Sequence, residues 1–274
     1  LAIGASGGIL VNERLQTSVP SIFAIGDAIE VQDLVTGTGV VIPLAGPANK
    51  QGRIVAGIIA GRGGKYQGTQ GTAIVRVFDM VAASTGANEK NLKKAGISYE
   101  VSYTHSGSHA AYYPGAGTMA MKLIFKPEDG RILGTQVVGS IGVDKRIDVL
   151  AAALRRGDTV YDLQELELAY APPFSAAKDP VNMAGYVAGN IIDGDVAIIH
   201  WRQVGKLDFQ KSVIIDVRTP AEHLTGHISN SRNIPVDEIR QRLPEFPQDK
   251  EIIIYCQVGL RGYLACQAYL AVDD

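Results

Sequence analysis

Cys256 stands where a strand-like run gives way to a glycine-marked loop. Ile252-Ile253-Ile254-Tyr255 leads into Cys256-Gln257-Val258-Gly259-Leu260-Arg261-Gly262, and an apolar helical stretch follows. Backbone amides in such a turn, together with the positive end of the next helix, form a cradle for an anion. A thiol placed there is favoured as the thiolate, which is the nucleophile. Arg261 adds a cation and Gly259 allows a sharp backbone path. Such a cradle suits a terminal persulfide (Cys–S–S⁻) or an oxyanion. The alternative is that Cys256 is a small buried hydrophobe, a common fate of free cysteine. Cys266, among Leu264, Ala265 and Leu270 in the helical run, reads as a packing residue.

The elements around this loop follow from hydrophobic patterning. Val213-Ile214-Ile215-Asp216-Val217 and the run before Cys256 are short and continuously apolar, as in parallel strands buried on both faces. They predict an α/β unit, joined to what precedes it by the turn-rich Asp193-Gly194-Asp195. From Thr72 to Ile141 strands dominate: Ile74–Phe78, Val101–Tyr103, Ala120–Phe125 and Ile132–Val138. One short helix, Glu89–Ala95, should stop at Gly96. Asp144 is expected to cap a helix striped by Ile147, Leu150, Ala151 and Leu154 and ending in Arg155-Arg156-Gly157. Strands followed by helices argue an α+β unit with an antiparallel sheet. The first 30 or so residues read as short strands and turns closing on Ile22-Phe23-Ala24-Ile25-Gly26-Asp27. A loop from Pro43 enters a helix whose face carries Ile54, Val55, Ile58 and Ile59, broken by Gly61-Arg62-Gly63-Gly64.

Composition excludes several classes. The 274 residues are 46% hydrophobic and 20% charged with net charge −2, so neither nucleic acid nor an acidic membrane is an expected partner. No stretch reaches the roughly 20 apolar residues of a membrane span, no signal peptide opens the chain, and no metal-ligand cluster is read. Two cysteines without a short-range pair point to the reducing cytoplasm. Leu1 in place of Met, and an end at Val272-Asp273-Asp274 just after an apolar helical run, read as a fragment.

Three stretches resemble known families. Asp216-Val217-Arg218-Thr219-Pro220-Ala221-Glu222-His223, Gly226-His227-Ile228, Asn233-Ile234-Pro235 and the Cys256–Arg261 loop resemble the rhodanese (single-domain sulfurtransferase) pattern over about residues 198–270. That resemblance implies that the Cys loop is the site, with Cys256 and Arg261 its residues, and that the Asp-Val-Arg and Gly-His-Ile segments are structural. The chain stops before the family's further strand and helix, so the unit reads as truncated.

Thr17 to Ala28 resembles the second FAD fingerprint of pyridine nucleotide–disulfide oxidoreductases. It implies that Gly26-Asp27 closes a strand and that Asp27 accepts from the flavin's ribityl chain. Pro43, Leu44 and Ala45 open the segment that resembles the one against the isoalloxazine ring. The alternative for Gly26-Asp27 is an ordinary turn. No Gly-x-Gly-x-x-Gly occurs in the chain, so both nucleotide loops are expected upstream.

His109-Ala110-Ala111-Tyr112-Tyr113-Pro114-Gly115, Gly142-Val143-Asp144-Lys145-Arg146-Ile147-Asp148 and Tyr170 to Pro180 resemble the dimerisation domain of coenzyme A–disulfide reductases. There, tyrosines from the partner subunit reach toward a redox cysteine that forms a mixed disulfide with CoA. The resemblance carries this role to Tyr112 or Tyr113 and to Tyr170; satisfied structural hydroxyls are the alternative. The expected organisation is an FAD-binding remnant over 1–64, an α+β dimerisation domain over 65–192 and a truncated rhodanese-like α/β domain over 193–274. The expected function is that of a homodimeric FAD- and NAD(P)H-dependent reductase of CoA-linked disulfide, persulfide or polysulfide, with the rhodanese cysteine carrying sulfane sulfur. The alternatives are an NADH oxidase or peroxidase of the same fold, and a non-catalytic dimerisation and sulfur-carrier module.

Overall fold

The computed structural model describes residues 1–271, and the expected chain end at Val272-Asp273-Asp274 lies outside the described residues. The chain divides into two compact units, residues 1–192 and a second from Asp193 onward.

The first unit opens with short strands. β1 (Ile9–Leu10) pairs in parallel with β2 (Ile29–Gln32), which pairs antiparallel with β3 (Gly39–Val40). α1 (Ala45–Ile59) follows, with Ile54 and Val55 packed against a core of Leu15, Ile29, Val31 and Tyr66. Ile58 is buried, but Ile59, the last residue of α1, is exposed and leaves the expected stripe. Ile22–Ile25 is not a strand. Pro20 and Ser21 turn the chain back on itself, so the Thr17 amide donates to the Ile22 carbonyl and the Ala24 amide to Leu15. Only the Gln16–Phe23 bridge remains of ladder pairing. The expected boundary near residue 64 does not separate compact units. Tyr66 lies in the N-terminal core, and Thr69 exchanges backbone hydrogen bonds with Gln32 and Leu34.

β4 (Ala73–Val77), β5 (Met80–Gly86), α2 (Glu89–Ala95), β6 (Glu100–Gly107), β7 (Thr118–Phe125) and β8 (Ile132–Gly139) come next. The strands form one antiparallel sheet, ordered β4-β5-β8-β7-β6. Asn88 caps α2 and Gly96 ends it at φ 68°. α3 (Val143–Arg156), α4 (Val160–Gln164) and α5 (Pro180–Ile192) complete the unit. Asp144 does not cap α3: Gly142, at φ 77°, holds the cap position, and Asp144 sits in the first turn, where its charge still suits the helix end. Met121, Leu123, Phe125 and Val137 of the sheet pack with Ile147, Leu150 and Leu154 of α3 and Val181, Ala184 and Ala188 of α5.

The second unit contains α6 (Trp201–Val204), β9 (Ser212–Asp216), α7 (Pro220–Thr225), β10 (Arg232–Asn233), α8 (Ile239–Arg242), β11 (Glu251–Tyr255) and α9 (Leu260–Leu270). Its sheet is parallel, ordered β10-β9-β11, with Tyr255 opposite Asp216. Every residue of β9 is buried. β11 is only half-buried, against expectation, because β9 is its one pairing partner among the described residues. The carboxyl ends of these strands, where parallel sheets place their sites, carry Asp216-Val217-Arg218 and Tyr255-Cys256.

Candidate functional site

Cys256 leaves β11 into a loop that α9 closes. Gly259, at φ 106°, caps α9 and turns its own amide back onto the thiol, donating to Sγ at 3.1 Å. The residues around the sulfur are uncharged and exposed (Gln257, Val258, Leu260) apart from Arg261. Arg261 is held rather than free: its Nη1 and Nη2 donate to Glu222 Oε2 and Oε1 at 2.8 and 2.7 Å. Glu222 is itself fixed by a capping box at the start of α7, accepting from the Thr219 amide at 2.9 Å and hydroxyl at 2.8 Å. These donors, Arg261 first, hold the Glu222 carboxyl down to about 2. Arg261 is raised by Glu222 and, to a lesser degree, by the Cys256 sulfur. Cys266, on α9, has its thiol pushed up by burial. Both cysteines are half-buried, and Cys256 also packs against the core of the second unit, but only its sulfur has a backbone donor and an oriented guanidinium beside it.

Beneath the loop, Asp216 is a hub. Its fully buried carboxylate accepts a fork from Arg218, Nδ1 of His223 at 2.9 Å and the Tyr255 hydroxyl at 2.8 Å. Burial alone would raise this carboxyl, but the Arg218 and His223 bonds hold it well below the usual range. Tyr255 also accepts from the Ile228 amide at 3.1 Å, so the Asp-Val-Arg and Gly-His-Ile segments both anchor the residue before Cys256.

In the first unit, the Tyr112 and Tyr170 hydroxyls lie 3.2 Å apart. Tyr113 stands apart from this pair, edge-on to the His109 ring at 5.9 Å. Tyr112 is 76% exposed and Tyr170 about half. The adjacent Tyr112 hydroxyl holds the Tyr170 phenol above its usual value. A buried cluster of Arg146, Ser175 and Asp179 lies behind both segments.

Gly26 and Asp27 form a single 3-10 turn, with Gly26 at φ 75° and its amide bound by Oε1 of the buried Gln51 at 2.7 Å. This ties the turn to α1. Asp27 is exposed. Pro43 and Leu44 lead into α1, and Ala45 is its first residue. Pro47 lies in the first turn, where its missing N–H costs nothing, and the Ala45 and Gly46 amides precede the helix's hydrogen-bond ladder.

Sequence reasoning did not single out Glu222, Gln51 or the Asp216–Tyr255 pair as supports of the site. The Thr219-x-x-Glu222 spacing is a legible capping box; the other two depend on contacts distant in sequence.

Residues 72–180 match the pyridine nucleotide-disulphide oxidoreductase dimerisation domain, and residues 202–272 match the rhodanese-like domain. The chain joins a dimerisation domain of this oxidoreductase family to a rhodanese-like domain. Coenzyme A disulfide reductase of Staphylococcus aureus is 39% identical over 189 residues, 69% of this chain and 43% of that protein. The crystal structure of reduced Bacillus anthracis CoADR-RHD covers 99% of this chain and 49% of its own, with a TM-score of 0.95 and 52% identity. An NAD-dependent persulfide reductase from A. fulgidus covers 99% and 49%, with a TM-score of 0.89 and 40% identity. The chain therefore spans about half the length of the relatives it matches. The five-stranded sheet with α2 to α4 falls within the dimerisation domain, and the Cys256 loop within the rhodanese-like domain. No described helix is long and apolar enough to cross a membrane.

Proposed function

We propose that this chain belongs to an FAD-dependent, NAD(P)H-using reductase of CoA-linked disulfide, persulfide or polysulfide, in which the rhodanese-like domain carries sulfane sulfur on Cys256. The observation that carries this reading is the Cys256 sulfur, bound by the Gly259 amide beside an arginine fixed by Glu222. The thiolate attacks the outer sulfur of a donor: R–S–SH and Cys–S⁻ give R–S⁻ and Cys–S–SH, with the leaving thiolate taking the electron pair. The Gly259 amide and the Arg261 guanidinium lie beside the sulfur at which this exchange takes place.

The residues of the first unit fit a flavin. Asp27 is an exposed acceptor on a turn fixed by Gln51, and the Pro43-Leu44-Ala45 entry to α1 presents a helix end that favours negative charge. Bound flavin would supply two-electron transfer from NAD(P)H to sulfur. Tyr170, with Tyr112 beside it, holds a phenolic proton at Oη that can be donated to a departing thiolate. Tyr113 is set against His109 and has no part in that pair. The paired phenols favour thiol departure over oxygen reduction.

The dimerisation domain exposes Ile74, Val75, Val77, Phe78 and Met80 along β4 and its hairpin, an apolar edge that fits a twofold partner. The whole enzyme is then a homodimer. Two free cysteines suit a reducing compartment, and we place it in the cytoplasm.

The test supplies the whole enzyme with NADH and either CoA persulfide or polysulfide. Sulfide release with NADH oxidation, and a persulfide on Cys256 when NADH is withheld, are expected. Oxygen-dependent NADH consumption with no sulfide released would reject the reading in favour of an oxidase.

A further inference from the structure

We propose that Lys145 and Arg146, consecutive in the first turns of α3, are positioning residues that hold the Tyr112 and Tyr170 hydroxyls in register. The inference rests on the reading of those tyrosines as proton donors and names what sets their geometry.

The two tyrosines are 58 residues apart and lie on segments outside regular secondary structure. Exposed phenols on independent loops would pair only transiently, because ordering both side chains costs rotamer entropy. Here the backbones beneath them are joined. Arg146 is almost fully buried, and its Nη2 donates to the Ser108 carbonyl at 2.9 Å, ahead of Tyr112. The same guanidinium donates to Ser175 Oγ at 3.0 Å and to Asp179 Oδ2 at 2.9 Å, on the segment that follows Tyr170. The Ser175 hydroxyl donates to Asp179 at 2.6 Å, and the Ala110 amide donates to the Ser175 carbonyl at 3.0 Å.

Lys145 completes the clamp from the other side. Its ammonium donates to the carbonyl of Ala169, the residue before Tyr170, at 3.2 Å and lies 3.7 Å from Asp179. Asp179 also accepts from the Val181 amide, fixing the start of α5. One acid and two adjacent bases on a rigid helix thus reach both sides of the Tyr170 segment and the entry to Tyr112. The guanidinium also donates from Nε to Asp179 Oδ1 and from Nη1 to the Gly142 carbonyl, each at 3.3 Å, so it uses all three nitrogens, a span that a single ammonium lacks.

The experiment is a pH titration of this chain labelled with [13Cζ]tyrosine, with resonances assigned by Tyr112→Phe, Tyr113→Phe and Tyr170→Phe. In the unaltered chain Tyr170 should ionise at higher pH than in Tyr112→Phe, because its neighbour's hydrogen bond is present. Lys145→Met and Arg146→Lys should each move the Tyr170 midpoint toward the Tyr112→Phe value while Tyr113 stays put. Lys145 is a third exposed, so Lys145→Met leaves a testable fold even where Arg146→Lys does not. In the whole enzyme, both variants should lower kcat on CoA persulfide by roughly 10–10²-fold with KM little changed, as small misplacement of a reacting group does. An unaltered Tyr170 midpoint in folded Lys145→Met and Arg146→Lys overturns the positioning role. A midpoint lowered to the Tyr112→Phe value upholds it, a raised one, which loss of a nearby positive charge gives by itself, overturns it too, and turnover indifferent to Tyr112→Phe and Tyr170→Phe would separately remove the catalytic reading of the pair.

Discussion

The hydroxyls of Tyr112 and Tyr170 meet at 3.2 Å, while Tyr113, the immediate neighbour of Tyr112, turns instead toward His109. The two adjacent tyrosines are therefore not equivalent. In the whole enzyme, Tyr170→Phe should slow sulfur release from CoA persulfide by about 10²-fold, the lower end of general-acid effects. Tyr112→Phe should cost less, since Tyr170 keeps its own proton, and Tyr113→Phe should leave turnover within about twofold. Steady-state kinetics of the three variants check the order. Equal losses at Tyr112 and Tyr113 would dissolve the distinction.

The Arg146–Asp179 pair is a stability element as well. Both side chains are about 2% exposed, so Asp179→Asn leaves a buried guanidinium without its counter-charge and should destabilise the first unit by roughly 3–5 kcal/mol. Burial acts to raise the Asp179 carboxyl, but Arg146 and Ser175 prevail and hold it below the usual range. A depressed carboxyl contributes stability that is present above its unfolded value and is lost as pH falls through its folded one. Chemical denaturation at neutral and acid pH should show the Asp179→Asn penalty shrinking as the solution is acidified.

The sequence was most informative where local rules and buried strands agree. The Gly96 and Gly157 helix ends, the buried run of β9 and the position of Cys256 before α9 all follow from residues within a few places of each other. It was least informative where partners are remote. Ile22–Ile25 has strand composition, yet the turn at Pro20 directs its hydrogen bonds to Leu15–Thr17. Strand β5, with Ala82, Ala83 and Ser84 at its centre, carries no strong apolar signal and is held between β4 and β8. Which of Tyr112 and Tyr113 faces Tyr170 depends on Arg146 and Ser175, a contact no spacing encodes.

The β4–β5 hairpin offers a test of the twofold partner. Phe78 is 92% exposed and sits at φ 51°, a left-handed conformation unfavourable for a bulky residue. Phe78→Asn should relieve that strain and hold or raise the melting temperature of the isolated subunit. If Phe78 packs on a second copy, the same change should shift sedimentation toward monomer. A dimer of unaltered affinity in Phe78→Asn and Val75→Glu alike would move the interface elsewhere.

Glu222 gives the rhodanese-like domain an acid limit. Its carboxyl lies at about 2, below the ordinary 4.5, because Arg261 and Thr219 donate to it. The bridge therefore contributes fully above about pH 4.5 and is lost as pH falls toward 2. Partial exposure means salt should weaken it. Glu222→Gln should flatten the loss of thermal stability of this domain between those two values. An identical acid slope in Glu222→Gln would show that the bridge orients Arg261 without stabilising the fold.

The two cysteines provide the sharpest comparison. Cys256 receives the Gly259 amide at 3.1 Å and faces an oriented arginine, whereas burial raises the Cys266 thiol. Limiting iodoacetamide at neutral pH should therefore label Cys256 first. Polysulfide should then add about 32 Da, one sulfur, to Cys256 and leave Cys266 unmodified. Cys256→Ser keeps size and polarity but removes the nucleophile, so uptake should vanish while the melting temperature holds. Arg261→Ala removes the cation but not the Gly259 donor, so uptake should slow by roughly tenfold and not stop. Glu222→Gln, with Arg261 present but no longer forked, should fall between Arg261→Ala and the unaltered chain, because the charge survives and its orientation does not. Peptide mass mapping gives the order directly. Labelling of Cys266 ahead of Cys256, or sulfur uptake surviving Cys256→Ser, would leave the rhodanese-like domain a fold without its chemistry.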